Sequence, residues 1–105
     1  MRRVGIVGVG TMGTHHARAW QNTGARLVGF YDIVPASAQA AAERFGVSAF
    51  ASLEALFDRA DVVDVCTPTY THREIVIAAA EAGRDVMCEK PMALTVDDCL
   101  DMIRA

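Results

Sequence analysis

The chain has no C-x-x-C pair, no basic run and no apolar stretch long enough to cross a bilayer, and each lack removes a class of function. Its three cysteines, Cys66, Cys88 and Cys99, are odd in number and widely spaced, unlike the ligands of a structural metal site. Two of them stand in strand-like apolar runs, so buried, reduced thiols are expected, with no disulfide and no metal site. Ten Lys and Arg against 13 Asp and Glu give a net charge of −3. That balance, with no basic stripe, argues against nucleic acid and against an anionic membrane surface as partners. A membrane-spanning helix needs about 20 predominantly apolar residues. The apolar stretch after Arg2 and Arg3 is broken by glycines too early for a signal-peptide core. A cytoplasmic protein is the expectation. Aromatic residues are scarce at 7%, while hydrophobic residues reach 52% with many alanines. That mixture suits helices lying close against a sheet. At 105 residues the chain has room for one domain.

What is present is concentrated at the start. The β-branched run Val4-Gly5-Ile6-Val7 breaks into Gly8-Val9-Gly10-Thr11-Met12-Gly13, and a helix-period segment follows. A glycine-rich turn between a buried strand and a helix N-terminus is a place to bind phosphate. The first amides of the helix lack partners within it, and its dipole favours negative charge. Gly8 suits a tight bend, Gly10 a close approach to a pyrophosphate, and Gly13 a helix packed against the sheet. The G-x-G-x-x-G spacing alone is a weak signal. Its place between strand and helix strengthens it.

Apolar runs and helix-period segments then alternate to the end. Strands are expected at 3–7, 26–31, 48–50, 62–66 and 85–88, and helices at 12–23, 35–45, 53–59, 72–82 and from 96 to the C-terminus. Gly24, Gly46 and Gly83 are placed to terminate helices, and Pro35 to start one. Thr71 and Glu74 read as a capping box, with Thr95 and Asp98 a weaker version. Strict alternation implies an α/β fold, a Rossmann-type doubly wound parallel sheet with helices on both faces. Right-handed crossovers and a phosphate turn after the first strand favour the strand order 3-2-1-4-5.

The chemistry-bearing residues fall at strand ends. Asp32 closes the second strand, where a carboxylate accepts hydrogen bonds from ribose hydroxyls and repels a 2′-phosphate; NAD is therefore favoured over NADP. The competing reading makes Asp32 a cap for the helix at Pro35. Thr67 and Pro68 end the fourth strand, facing the same crevice. His72, at a helix N-terminus, is open between a cofactor contact and a structural role. Glu89 and Lys90 follow the fifth strand, and an ammonium there can donate a hydrogen bond to a reacting hydroxyl or carbonyl. Pro91 biases Lys90 to extended backbone angles.

These pieces together resemble the N-terminal half of the glucose–fructose oxidoreductase and inositol dehydrogenase (Gfo/Idh/MocA) family. The matching stretches are Gly8 to Gly13, His16-Ala17-Arg18, Asp32, Asp64-Val65-Cys66-Thr67-Pro68 with His72, and Ala82 to Pro91, which ends in Glu89-Lys90-Pro91. The resemblance implies an NAD(P)-dependent oxidoreductase acting on a secondary alcohol of a sugar, cyclitol or related polyol. It implies cofactor contacts from Gly8, Gly10, Thr11, Met12, Gly13, Asp32, Thr67, Pro68, His72, Glu89 and Lys90, and makes Lys90 the catalytic residue. His16 matches a recurrent histidine, read as packing or helix-end structure. Family members carry a second domain with the substrate pocket, so residues 1–105 are expected to be a cofactor-binding fragment without turnover of its own. Its last strand is expected to leave an open sheet edge and to favour a homo-oligomer. Two other readings stay open: a nucleotide-binding or redox-sensing module without chemistry, and a different Rossmann-type dehydrogenase.

Overall fold

The computed structural model describes residues 1–88, 93 and 95–105. Five strands, β1 (Arg3–Val7), β2 (Arg26–Tyr31), β3 (Ser48–Ala49), β4 (Val62–Val65) and β5 (Asp85–Cys88), form one sheet in the order β3-β2-β1-β4-β5. Every neighbouring pair is parallel. The helices are α1 (Thr11–Gln21), α2 (Pro35–Phe45), α3 (Leu53–Arg59), α4 (His72–Glu81) and α5 (Val96–Arg104). This is the doubly wound arrangement expected from the alternation.

Side chains alternate across each strand, so the sheet feeds two separate cores. On one face Ile6, Leu27 and Phe30 pack against Ala17 of α1 and Ala38 and Ala41 of α2. On the other, Val7, Val63 and Val65 meet Leu56 of α3, Val76 of α4 and Met102 of α5. The alanines let α1 and α2 lie close, which is why so few aromatic residues suffice.

Several local expectations need correction. α1 stops at Gln21 with Asn22 as its C-cap, so Gly24 does not terminate it. Gly46, by contrast, is a left-handed C-cap with φ of +68°. The capping box at Thr71 does not form: its side chain makes no cap bond, because residues Thr69–Thr71 turn in a short 3-10 segment first. Thr95 does cap α5, accepting from the amide of Asp98 at 3.1 Å. The three cysteines are half-buried rather than buried, and no disulfide joins them.

The two ends of the sheet differ in kind. At the amino ends of the strands Arg3 pairs with Asp61, and Arg2 with Asp85. The carboxyl ends of β1, β2 and β4 converge instead on an open cleft.

Candidate functional site

The cleft starts at the bend after β1. Gly8 has φ of +97°, a region L side chains avoid, and a Cβ there would lie 2.9 Å from the Cys66 carbonyl oxygen. Gly13, inside α1, is pressed on the same bend: a Cβ would lie 2.1 Å from the Gly8 carbonyl oxygen. The protein's own packing therefore demands glycine at both positions. Gly10 is different. It is the N-cap of α1 in extended geometry, and a Cβ there would meet nothing within 4 Å. Nothing inside the described chain requires glycine at that position. Among the described residues no side-chain bond caps α1 and no acidic residue stands in its first turn, so the amides of that turn are left for a ligand in the cleft.

Asp32 reaches across from the end of β2. Its Oδ2 accepts from the Val9 amide at 3.0 Å and its Oδ1 from the Val34 amide at 2.8 Å. The carboxylate thereby ties the glycine bend to the loop after β2. It is not the cap of α2, which begins after Val34 without a side-chain bond. Each carboxylate oxygen has two acceptor sites, so both retain capacity for a ligand hydroxyl. Ile33, beside it, is 87% exposed.

The opposite wall is the loop after β4, which is braced from below. A carbonyl only accepts, so the 2.8 Å contact between His72 Nε2 and the Thr67 carbonyl places the proton on Nε2. His72 is 1% exposed and does not line the cleft. Thr71 Oγ1 lies 2.6 Å from both the Pro68 carbonyl and Thr67 Oγ1. Its single proton goes to the carbonyl, leaving the Thr67 hydroxyl to donate to Thr71. These bonds hold Thr67 and Pro68 at the cleft wall.

Between the walls lies a cleft of about 860 Å³, lined by Gly8, Gly10, Thr11, Met12, Asp32, Ile33, Thr67 and Pro68 among others. Of the expected cofactor-binding residues, those from the bend except Gly13, Asp32 of β2 and the β4 loop thus meet in one place, while Gly13 is buried in α1 and His72 braces the loop. Tyr70, 71% exposed at the cleft, was not anticipated. The available signal for it and for Ile33 was their place just past the ends of β4 and β2, after Thr67-Pro68-Thr69 and after Asp32. Glu89 and Lys90 lie outside the described residues.

A second group was also missed. Asp64, in the centre of β4, is wholly buried, and its Oδ2 accepts from Trp20 Nε1 at 2.8 Å and lies 2.7 Å from His16 Nδ1. Cys66 Sγ lies 3.3 Å from the same imidazole nitrogen. A carboxylate inside the apolar run Val62-Val63-Asp64-Val65 was the signal, since such a residue needs polar partners.

The comparisons agree with this geometry. The model of an oxidoreductase family with an NAD-binding Rossmann fold matches residues 2–105. The chain is 43% identical over 109 residues to a 2,7-anhydro-N-acetylneuraminate hydratase of Mediterraneibacter gnavus, covering 99% of this chain and 29% of that protein. It is 37% identical to an inositol 2-dehydrogenase of Ralstonia nicotianae, covering 98% of this chain and 32% of the relative. The crystal structure of the WlbA dehydrogenase from Bordetella pertussis, in complex with NADH and UDP-GlcNAcA, superposes with a TM-score of 0.92 at 36% identity. It covers 98% of this chain and 32% of that one. The chain therefore spans about a third of the length of the proteins it matches.

Proposed function

The chain belongs to this oxidoreductase family with its NAD-binding Rossmann fold, and on that premise we propose that the cleft holds NAD for the oxidation or reduction of a secondary alcohol on a sugar, cyclitol or related polyol. The observation that carries the proposal is Gly10: it is the N-cap of a helix whose first turn has no side-chain cap and no acidic residue, and its side-chain direction opens onto empty space. A pyrophosphate fits both features, since it needs amide donors and close approach to the backbone.

The chain's own residues divide the work. The amides at the start of α1 bind the pyrophosphate, and Asp32 accepts from the adenosine ribose hydroxyls. Met12, Ile33 and Tyr70, all exposed at the cleft, offer apolar surface to the adenine and its neighbours. Thr67 and Pro68 form the wall against which the nicotinamide half is oriented, with His72 and Thr71 fixing that wall. When bound, the dinucleotide supplies hydride acceptance and donation. Lys90, following β5 in sequence, is assigned to the reacting hydroxyl, where an ammonium stabilises developing negative charge on oxygen. The inositol 2-dehydrogenase and sugar-nucleotide dehydrogenase among the similar proteins support a polyhydroxylated substrate.

NAD is preferred to NADP because a 2′-phosphate would meet the Asp32 carboxylate, already held in place by two amides. The reading is tested by titrating both dinucleotides against the chain and against Asp32→Ala. NAD should bind tighter to the wild type. The variant should lose about 10–100-fold for NAD, the worth of one hydrogen bond to a charged group, and less for NADP. Equal losses would remove Asp32 from the ribose, and no binding of either dinucleotide would overturn the function.

A further inference from the structure

We propose that His16, Asp64 and Cys66 form a binding site for one divalent transition-metal ion, Zn²⁺ foremost, beside the cofactor cleft. The three come together only in the fold. His16 lies one turn before Trp20 on α1, while Asp64 and Cys66, two residues apart, share one face of β4 and its continuation. Their donor atoms, an imidazole nitrogen, a carboxylate oxygen and a sulfur, all lie within 4.8 Å of one another.

Distances, charge and surroundings point the same way. Zinc bonds of about 2.0–2.3 Å set tetrahedral ligand atoms about 3.3–3.7 Å apart. Cys66 Sγ already stands 3.3 Å from His16 Nδ1 and 3.5 Å from Asp64 Oδ1. The 2.7 Å contact of His16 Nδ1 is with the other carboxylate oxygen, Oδ2, so on binding the imidazole gives up that contact and the carboxylate presents Oδ1 to the ion. A wholly buried carboxylate beside a thiol is an expensive arrangement, and a dication answers it by neutralising carboxylate and thiolate together. Trp20 Nε1 donates to Oδ2 and so orients the carboxylate with Oδ1 left for the ion, as the outer partner of a ligating carboxylate does. Mixed N, O and S donors suit Zn²⁺, Co²⁺ or Ni²⁺ and disfavour Mg²⁺ and Ca²⁺. Entry is open, since Cys66 lines the cleft and the His16 side chain is 19% exposed. On binding, Cys66 releases its thiol proton to solvent and His16 presents Nδ1 as a lone pair, its ring proton on Nε2. Three protein ligands leave a fourth position for water.

The test is titration of chelator-treated chain with Zn²⁺ and with Co²⁺, whose thiolate complexes absorb in the near ultraviolet. One equivalent should bind, with a thiolate band that Cys66→Ser abolishes and Cys99→Ser leaves intact. His16→Gln should weaken Zn²⁺ binding by more than the roughly 10–100-fold that loss of an outer partner causes, and Trp20→Phe should fall within that range. Should Asp64→Asn fail to fold, the Cys66 and His16 variants decide. A chain that gives no thiolate band, or one whose band survives Cys66→Ser, contains a hydrogen-bonded brace and no metal site.

Discussion

Gly10 and Gly13 belong to one six-residue motif, yet the fold asks for them on different grounds. A methyl at Gly13 would drive into the Gly8 carbonyl, whereas one at Gly10 would stand in open space. Gly13→Ala should therefore cost about 1–3 kcal/mol of stability, the usual range for overpacking, measured by urea denaturation. Gly10→Ala should move the denaturation midpoint far less, the poorer N-cap being offset by the lower entropy of the unfolded chain, and act chiefly on ligand binding. The motif was legible in the sequence, and so was the role of Gly13 in helix packing. The place of Gly10 as the point of approach for a pyrophosphate was legible there too; the structure adds that a Cβ at this position would meet nothing within 4 Å. Asp32 shows where such legibility stops. Its place at the end of β2 could be read from residue order, but its two amide bonds depend on how the bend and the following loop meet.

Among the elements, α3 and α4 illustrate the same distinction between local and long-range causes. Ser52 caps α3 by accepting from the Ala55 amide at 3.1 Å, a bond made within four residues. Thr71 precedes α4 in what looks like an equivalent position, but its hydroxyl turns back to Pro68 and Thr67. Ser52→Ala should then cost about 1 kcal/mol, the typical worth of a cap, without changing dinucleotide affinity. Thr71→Ala should weaken dinucleotide binding by releasing the β4 loop. Calorimetric titration alongside thermal denaturation separates the two outcomes. Strands and helices with strong periodicity, such as β2 and α2, keep their expected bounds. β3, β4 and α4 each end one residue short, at Ala49, Val65 and Glu81, and the larger departures fall at Thr69–Thr71 and after Gln21, where turn geometry overrides the local motif. The triad of His16, Asp64 and Cys66 spans α1 and β4; the sequence shows the carboxylate out of place in Val62-Val63-Asp64-Val65 but not its partner 48 residues away.

At the scale of the whole molecule, the sheet separates stability from function. Its amino edge is closed by ion pairs, and its carboxyl edge is left open as the cleft. Asp61 shows the first role: hydrogen bonds from the Arg3 side chain and backbone lower its pKa from 3.8 to about 2. Because the folded value is depressed, this contribution is present above pH 3.8 and is lost as the pH falls through about 2. The melting temperature of the wild type should fall relative to Asp61→Asn over that window, and the two should run parallel above it. The carboxyl edge carries the central claim, that the uncapped start of α1 receives the pyrophosphate of NAD. The most direct test is a fluorescence titration with NADH of the wild-type chain and of Gly10→Ala, each shown to be folded by its melting transition in the absence of ligand. Saturable binding to the wild type is expected, with at least about tenfold weaker binding to the variant, equivalent to about 1.4 kcal/mol. Equal affinity in the two chains, with both folded, would contradict it.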